Sequence, residues 1–158
     1  MDSVTLKRIN QLHPKLRLEM QKIINECNAN LKGRAQVRIS QGLRTFAEQQ
    51  ALYNQGRTTP GKKVTNAKGG QSVHNYGAAV DIVLIIDGKI ASWDVGRDWD
   101  GDKIADWDEC VRVFAKYYYS WGGNWNSCKD FPHFEKIGMN NWRILSKLPR
   151  DNQGYVII

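Results

Sequence analysis

Several features that would assign a chain quickly are missing here. The first ten residues, Met1 to Asn10, lack the apolar run of a secretory leader or a membrane-spanning helix. The expectation is therefore a protein made in the cytoplasm, with no membrane insertion. Cysteine is scarce and odd in number, with Cys27, Cys110 and Cys128 and no C-x-x-C spacing. A disulfide framework is not expected, and reduced thiols are the simplest reading. No nucleic-acid motif accompanies the basic charge. Lys and Arg number 23 against 16 Asp and Glu, a net +7, but they are scattered instead of striped. That excess favours an anionic partner other than nucleic acid. At 158 residues the chain is expected to be a single domain that buries its own core without staples.

What is present gathers around two segments. Ser72-Val73-His74-Asn75-Tyr76-Gly77-Ala78-Ala79-Val80-Asp81 holds a histidine and an aspartate, and Asp130-Phe131-Pro132-His133 adds one more of each. Two imidazoles and a carboxylate are the three protein ligands of a catalytic zinc, whose fourth position is left to water. Asp130, three residues before His133, is suited to take that water's proton. Ala78 to Ile86 reads as a buried strand rich in β-branched residues, and Asp81 lies inside it. An unpaired carboxylate there is costly, so Asp81 needs a cation or strong donors. The alternative to a metal is an Asp held by backbone N–H groups or by an arginine.

Taken in order, apolar residues at Leu16, Met20, Ile23, Ile24, Cys27 and Leu31 predict a helix over 14–31. Ala35 to Gln41 alternates as a strand and delivers Arg44 at its end. Thr45 with Glu48 forms a capping box that opens a helix through Asn54, closed by Gly56. The polar, glycine-rich stretch 57–71 is long for a connection and reads as a cleft wall. Asp87-Gly88 marks a hairpin turn with a return strand over 89–93. A further helix is expected over 106–120, with Trp107, Cys110, Val111, Phe114 and Tyr118 on one face and Gly122-Gly123 ending it. A short helix is expected within 140–148. Trp121, Trp125, Phe131 and Phe134 are expected as apolar walls around the second metal segment.

The pattern S-x-H-x-x-G-x-A-x-D followed by D-x-P-H resembles the zinc peptidases of bacterial cell walls. That family comprises D-alanyl-D-alanine carboxypeptidases and L-alanyl-D-glutamate endopeptidases, many phage endolysins among the latter. The resemblance runs from about Ile39 to Phe134 and includes Gly42-Leu43-Arg44-Thr45-Phe46-Ala47-Glu48-Gln49 and Leu52-Tyr53-Asn54-Gln55-Gly56-Arg57. It implies zinc on His74, Asp81 and His133, Asp130 as the base, and Arg44 steadying the substrate carbonyl. Gln49, Ser72 and Trp125 are weaker candidates for contact with substrate. It implies peptidoglycan as partner, here with the L-Ala–D-Glu bond favoured over D-Ala–D-Ala. For a monomer made without a leader, access to the wall would follow cell lysis or passage through a phage holin.

The densest acidic run, 98–109, is a separate signal. Asp98, Asp100, Asp102, Asp106 and Glu109 stand at positions 1, 3, 5, 9 and 12, with the Ile104 carbonyl at 7. That is the ligand plan of a twelve-residue calcium loop, except that Lys103 replaces the glycine at position 6. The alternative is a solvated turn whose carboxylates favour the N-terminus of the next helix.

The expected architecture is α+β: a small antiparallel sheet carrying the zinc site, flanked by helices. The catalytic core spans about 35–136, and a tail of 137–158 shows no motif and none of the repeats of an appended wall-binding module. Rival readings are a cysteine peptidase built on Cys128 and His133, and a calcium-dependent wall-binding module without catalysis.

Overall fold

The structure is a computed structural model that describes residues 1–158. Five strands form one antiparallel sheet: β1 (Ala35–Gln41), β2 (Ala79–Ile86), β3 (Ile90–Ser92), β4 (Tyr119–Trp121) and β5 (His133–Lys136), in the order β1-β2-β5-β4 with β3 also on β2. The five helices are α1 (Ser3–Ile9), α2 (Arg17–Asn30), α3 (Phe46–Asn54), α4 (Asp106–Lys116) and α5 (Trp142–Leu145). The expected α+β architecture is what forms, and no helix is long and apolar enough to cross a membrane.

Strand period explains how the sheet divides its faces. On β2, Val80, Ile82, Leu84 and Ile86 belong to the main core, with Ile23, Ile24 and Cys27 of α2 and Trp107, Cys110 and Phe114 of α4. On β5, Phe134 joins that same core. Residues at the alternate positions point to the opposite face. These are Asp81 on β2 and His133 and Glu135 on β5, together with the apolar Ala79, Val83 and Ile85 of β2. The polar groups are thus gathered where β2 meets β5, on the face away from the main core.

Several expectations meet the structure directly. The capping box is present: Thr45 Oγ1 accepts from Glu48 N and Glu48 Oε2 accepts from Thr45 N. Asp87 and Gly88 both take positive φ, 53° and 70°, as a two-residue hairpin turn requires. Helix 14–31 divides into a 3-10 turn at Pro14–Leu16 and α2 proper.

Other elements differ. The helix expected to reach Ser120 stops at Lys116. Tyr118 turns to positive φ and is exposed, and Tyr119–Trp121 becomes an edge strand beside β5. Gly122 and Gly123 therefore follow a strand, not a helix. The segment 137–158 is not a loose tail. Leu145 and Val156 pack on Tyr76, and the buried His13 bonds the Val156 carbonyl through Nε2 at 2.8 Å. α1 escaped the sequence reading because only Thr5 and Ile9 of its seven residues are buried, too few for a periodic signal.

The turn that leads into β2 requires a glycine. Gly77 links the His74 turn to β2 with φ +67°, and a Cβ there would stand 2.5 Å from His13 N and 3.1 Å from Leu12 C. Gly77→Ala should cost about 2 kcal/mol or more, because the left-handed conformation is strained and backbone has to move. Thermal unfolding should show a melting temperature lower by roughly 4–8 °C. An unchanged melting temperature would mean that the turn adapts freely.

Candidate metal centre and cleft

Sheet register brings the first two ligands together. Asp81 and His133 are direct partners in the antiparallel pairing of β2 with β5, where opposite side chains stand close on one face. His133 Nδ1 lies 3.2 Å from Asp81 Oδ1. His74 arrives from outside the sheet, on a 3-10 turn at Val73–Tyr76 capped by Ser72, whose Oγ accepts from His74 N. His74 Nε2 lies 3.2 Å from the same Asp81 Oδ1. The candidate ligand atoms of all three residues fall within 4.8 Å of one another.

The remaining ring nitrogens are both fixed. His74 Nδ1 donates to the Gly42 carbonyl at 2.8 Å, and His133 Nε2 donates to Glu135 Oε2 at 2.8 Å. Each imidazole is thereby held in the tautomer and orientation that offers its other nitrogen to a shared point, the usual support of a metal-binding histidine. A tetrahedral ion with arms of about 2.0–2.1 Å separates its ligands by about 3.3–3.4 Å. The observed 3.2 Å spacings match that edge. Two neutral nitrogens, one carboxylate oxygen and an open side toward the cleft form a donor set suited to zinc.

Electrostatics agree with this. Burial pushes the Asp81 carboxyl up, but hydrogen bonds from His133 and His74 outweigh it and hold the group well below the usual carboxylate range. Burial lowers His133, while its bonds to Asp81 and Glu135 prevail and push it up to about 9. A site that holds a proton so firmly has negative potential, which a divalent cation would satisfy in the proton's place. Asp81 has neither of the alternative partners considered from sequence: it is held by imidazoles, not by an arginine or backbone amides.

These ligands open onto a cleft of about 900 Å³, lined also by Arg44, Ser72, Trp125 and Asp130. Asp130 is placed by backbone: its N–H bonds Gly122 O, its carbonyl accepts from His133 N, and a Cβ on Gly122 would collide with the Asp130 carbonyl. Burial and the Asp81 charge raise the Asp130 carboxyl above its ordinary value, against the opposing pull of His133, His74 and Arg44. A carboxylate shifted this way is a better proton acceptor.

Arg44 does not pair with Glu48. Its Nη1 donates to Gln49 Oε1 at 2.8 Å, while its Nε is enclosed without a partner. Gln49 is fully buried and its other end donates to Ala67 O, so it holds Arg44 from within the wall. Ser72 lines the cleft, but its hydroxyl is committed to capping the His74 turn. Trp125 faces His133, ring centroids 5.2 Å apart. Of the expected apolar walls, only Trp125 reaches the cleft. Phe134 belongs to the core under the sheet, and the Phe131 ring is exposed while its carbonyl is held by the indoles of Trp121 and Trp107. The stretch 57–71 does form a wall, with Lys63 to Ala67 lining the cleft. Arg57 braces it by donating to Tyr53 O, Thr65 O and Asn66 Oδ1.

Glu135, Gly42 and Asn75 were not read from sequence. Glu135 carried a usable signal, being two residues after His133 on a strand and hence on the same face. Asn75 ties the His74 turn to Arg44, accepting from Gly70 N and donating to Arg44 O. The acidic residues Asp98, Asp100, Asp102, Asp106 and Glu109 do come together, but beside α4 and outside the cleft.

Comparison with known proteins agrees with this geometry. Residues 65–136 match a peptidase M15 family described as D-alanyl-D-alanine carboxypeptidase. The peptidoglycan L-alanyl-D-glutamate endopeptidase CwlK of Bacillus subtilis is 46% identical over 100 residues, covering 63% of this chain and 59% of that protein. The chain thus spans about three fifths of the length of that curated relative. The fold is similar to that of the Serratia marcescens L-Ala D-Glu endopeptidase ChiX, with a TM-score of 0.55 at 22% identity over 86% of this chain and 88% of that one. The family resemblance read from the sequence is borne out over the segment that carries the site.

Removal of the Glu135 carboxylate should leave the fold intact while freeing the His133 ring. Glu135→Ala is expected to weaken zinc binding about 10–100-fold, measured by competition against a chromophoric chelator. Unchanged affinity would exclude Glu135 from the site.

Proposed function

We propose that the chain is a zinc peptidase that hydrolyses the stem peptides of peptidoglycan at the L-alanyl–D-glutamate bond. The observation that carries this reading is the convergence of His74, Asp81 and His133 on one point, with Asp130 in the same cleft. The bond is chosen on the similarity to the endopeptidase of Bacillus subtilis. Access to the wall after synthesis in the cytoplasm, by cell lysis or through a holin, and action as a monomer are parts of the same proposal.

A zinc ion held by His74, Asp81 and His133 would supply Lewis acidity and lower the pKa of a bound water toward about 7. The chain's own groups do the rest. Asp130, whose carboxyl is raised above its ordinary value by burial and the Asp81 charge, accepts the proton of the attacking water and passes it to the leaving amine. Arg44, held by Gln49 at the cleft wall, directs its guanidinium toward the carbonyl oxygen as negative charge develops there. Lys63 and Lys129 line the same cleft and suit the carboxylates of an acidic stem peptide. Trp125 covers one side of His133 and limits water there.

A second reading, removal of the terminal D-alanine, is favoured by the description of the matching family. The cysteine reading has less support. Cys128 lines the cleft but is exposed, and both nitrogens of His133 already have carboxylate partners.

Purified peptidoglycan digested by the protein and analysed by mass spectrometry should gain new D-glutamyl amino termini. Release of D-alanine alone would establish the carboxypeptidase reading instead. A chelator should abolish the activity and thiol alkylation should not. Asp130→Ala should bind zinc as the wild type does while losing about 10²–10⁴ in turnover. Wild-type turnover in that variant would remove Asp130 from the chemistry.

A further inference from the structure

The acidic loop between β3 and α4 lies outside the cleft, and the protein alone does not satisfy its side chains. Asp98, Asp100 and Asp106 bring carboxylate oxygens within 4.8 Å of one another, and so do Asp100, Asp102 and Glu109. None of these residues takes part in any of the chain's salt bridges. In a chain of net charge +7, five carboxylates crowd together with no cation paired to them.

Asp106 is the informative member. It is fully buried, at 0% exposure. Its Oδ1 accepts from Trp99 N at 2.8 Å, but Oδ2 is enclosed with no hydrogen-bond partner. Asp100 Oδ2 and Glu109 Oε2 are likewise enclosed and unpartnered. Buried polar atoms nearly always find partners, so three orphaned carboxylate oxygens in one cluster call for a ligand. The local charge is uncompensated as well. Burial and then the charges of Asp100, Asp98 and Asp102 raise Asp106, while burial with Asp102, Asp100 and Asp106 pushes Glu109 up to about 7.

The backbone already has the shape of an ion-binding loop. Asp98 accepts from Gly101 N and Lys103 N, Asp100 from Asp102 N, and Asp102 from Ile104 N. The missing glycine at position 6 is answered by conformation, since Lys103 itself adopts φ +72°. We propose that this loop is a calcium site, with Asp98, Asp100, Asp102, Asp106 and Glu109 supplying carboxylate oxygens and Ile104 its carbonyl. Calcium fits an all-oxygen set of six to eight flexible ligands. Magnesium holds to a tighter octahedron and keeps its waters, and zinc favours nitrogen and sulfur.

The site is connected to the cleft by one side chain. Asp106 opens α4, and the next residue, the fully buried Trp107, donates through Nε1 to the Phe131 carbonyl. Phe131 lies between Asp130 and the His133 strand. An ion on the loop would therefore brace the segment that carries the base. Binding itself does not depend on the peptidase reading.

The test uses zinc-supplied protein dialysed free of calcium, titrated with calcium alone and followed by calorimetry, thermal unfolding and terbium luminescence sensitised by Trp99 and Trp107. One calcium ion should bind, raising the melting temperature by about 5–10 °C at a hundredfold excess over Kd. Magnesium should give a much smaller rise. The double variant Asp106→Asn, Glu109→Gln keeps side-chain shape and removes like charge. Without calcium it should melt at or above the wild-type temperature, and with calcium it should show no rise. Absence of a calcium-dependent rise in the wild type, or an equal rise in the variant, would overturn the proposal. These readouts stand apart from catalysis, so a different cleavage specificity would leave them unchanged.

Discussion

The molecule depends on one register, the pairing of Asp81 on β2 with His133 on β5. Side chains alternate along a strand, so a slip of one residue in β5 would exchange the two faces of that strand. Phe134 would be driven into the cleft, and His133 and Glu135 into the apolar core, parted from Asp81. The core opposes this strongly, because Phe134 stacks on Phe114 at 4.1 Å and is fully buried. The same packing that stabilises the fold therefore fixes the distance between two ligands. Their attraction is secondary, since the Asp81 carboxylate has to be desolvated and is offset only by the imidazoles around it.

The third ligand is joined to this frame by hydrogen bonds, on a turn whose Val73 and Tyr76 are packed in apolar clusters outside the main core. The His74 turn bonds Arg44 N through its own carbonyl, and Asn75 reaches back to the Arg44 carbonyl. The His74 ring closes the circuit on Gly42 O, just past the register shift between Ile39 and Gln41 where β1 leaves β2. Irregularities of this kind re-aim a chain near functional sites. Arg44 and His74 are thus positioned together, and Gln49 holds the guanidinium from the other side. Disturbing one group would disturb the other.

Much of this was legible in the residues. The β-branched run of β2 with an aspartate inside it, the Thr45–Glu48 box and the Asp87–Gly88 turn are local signals, and local chemistry decides them. What escaped was set by distant contacts. Tyr119 to Trp121 has a helical apolar pattern but pairs with β5, an arrangement decided once His133 to Lys136 lies alongside. Phe131 and Phe134 looked alike as aromatic walls, yet strand alternation sends one under the sheet and two indole donors turn the other outward. Gln49 read as a candidate for contact with substrate, and its burial follows from the distant wall at Ala67, whose carbonyl it meets. At Lys103 the backbone takes a positive φ although the residue is not glycine, a conformation that the side-chain identity did not announce.

The two clusters of ionisable groups in this protein also differ in kind. In the cleft, each imidazole spends one nitrogen on the protein and offers the other, so the donors are few, mixed and directed at one open point. That arrangement suits an ion required to keep a place for a reactant. Beside α4 the donors are all oxygen, more numerous and partly enclosed, an arrangement that surrounds an ion and leaves little room for chemistry. Trp107 joins the two, because its backbone follows Asp106 while its indole holds the chain at Phe131. Rigidity gained at the closed cluster would therefore reach the open one through a buried ring, whose bond to Phe131 O lies next to Asp130 in the chain.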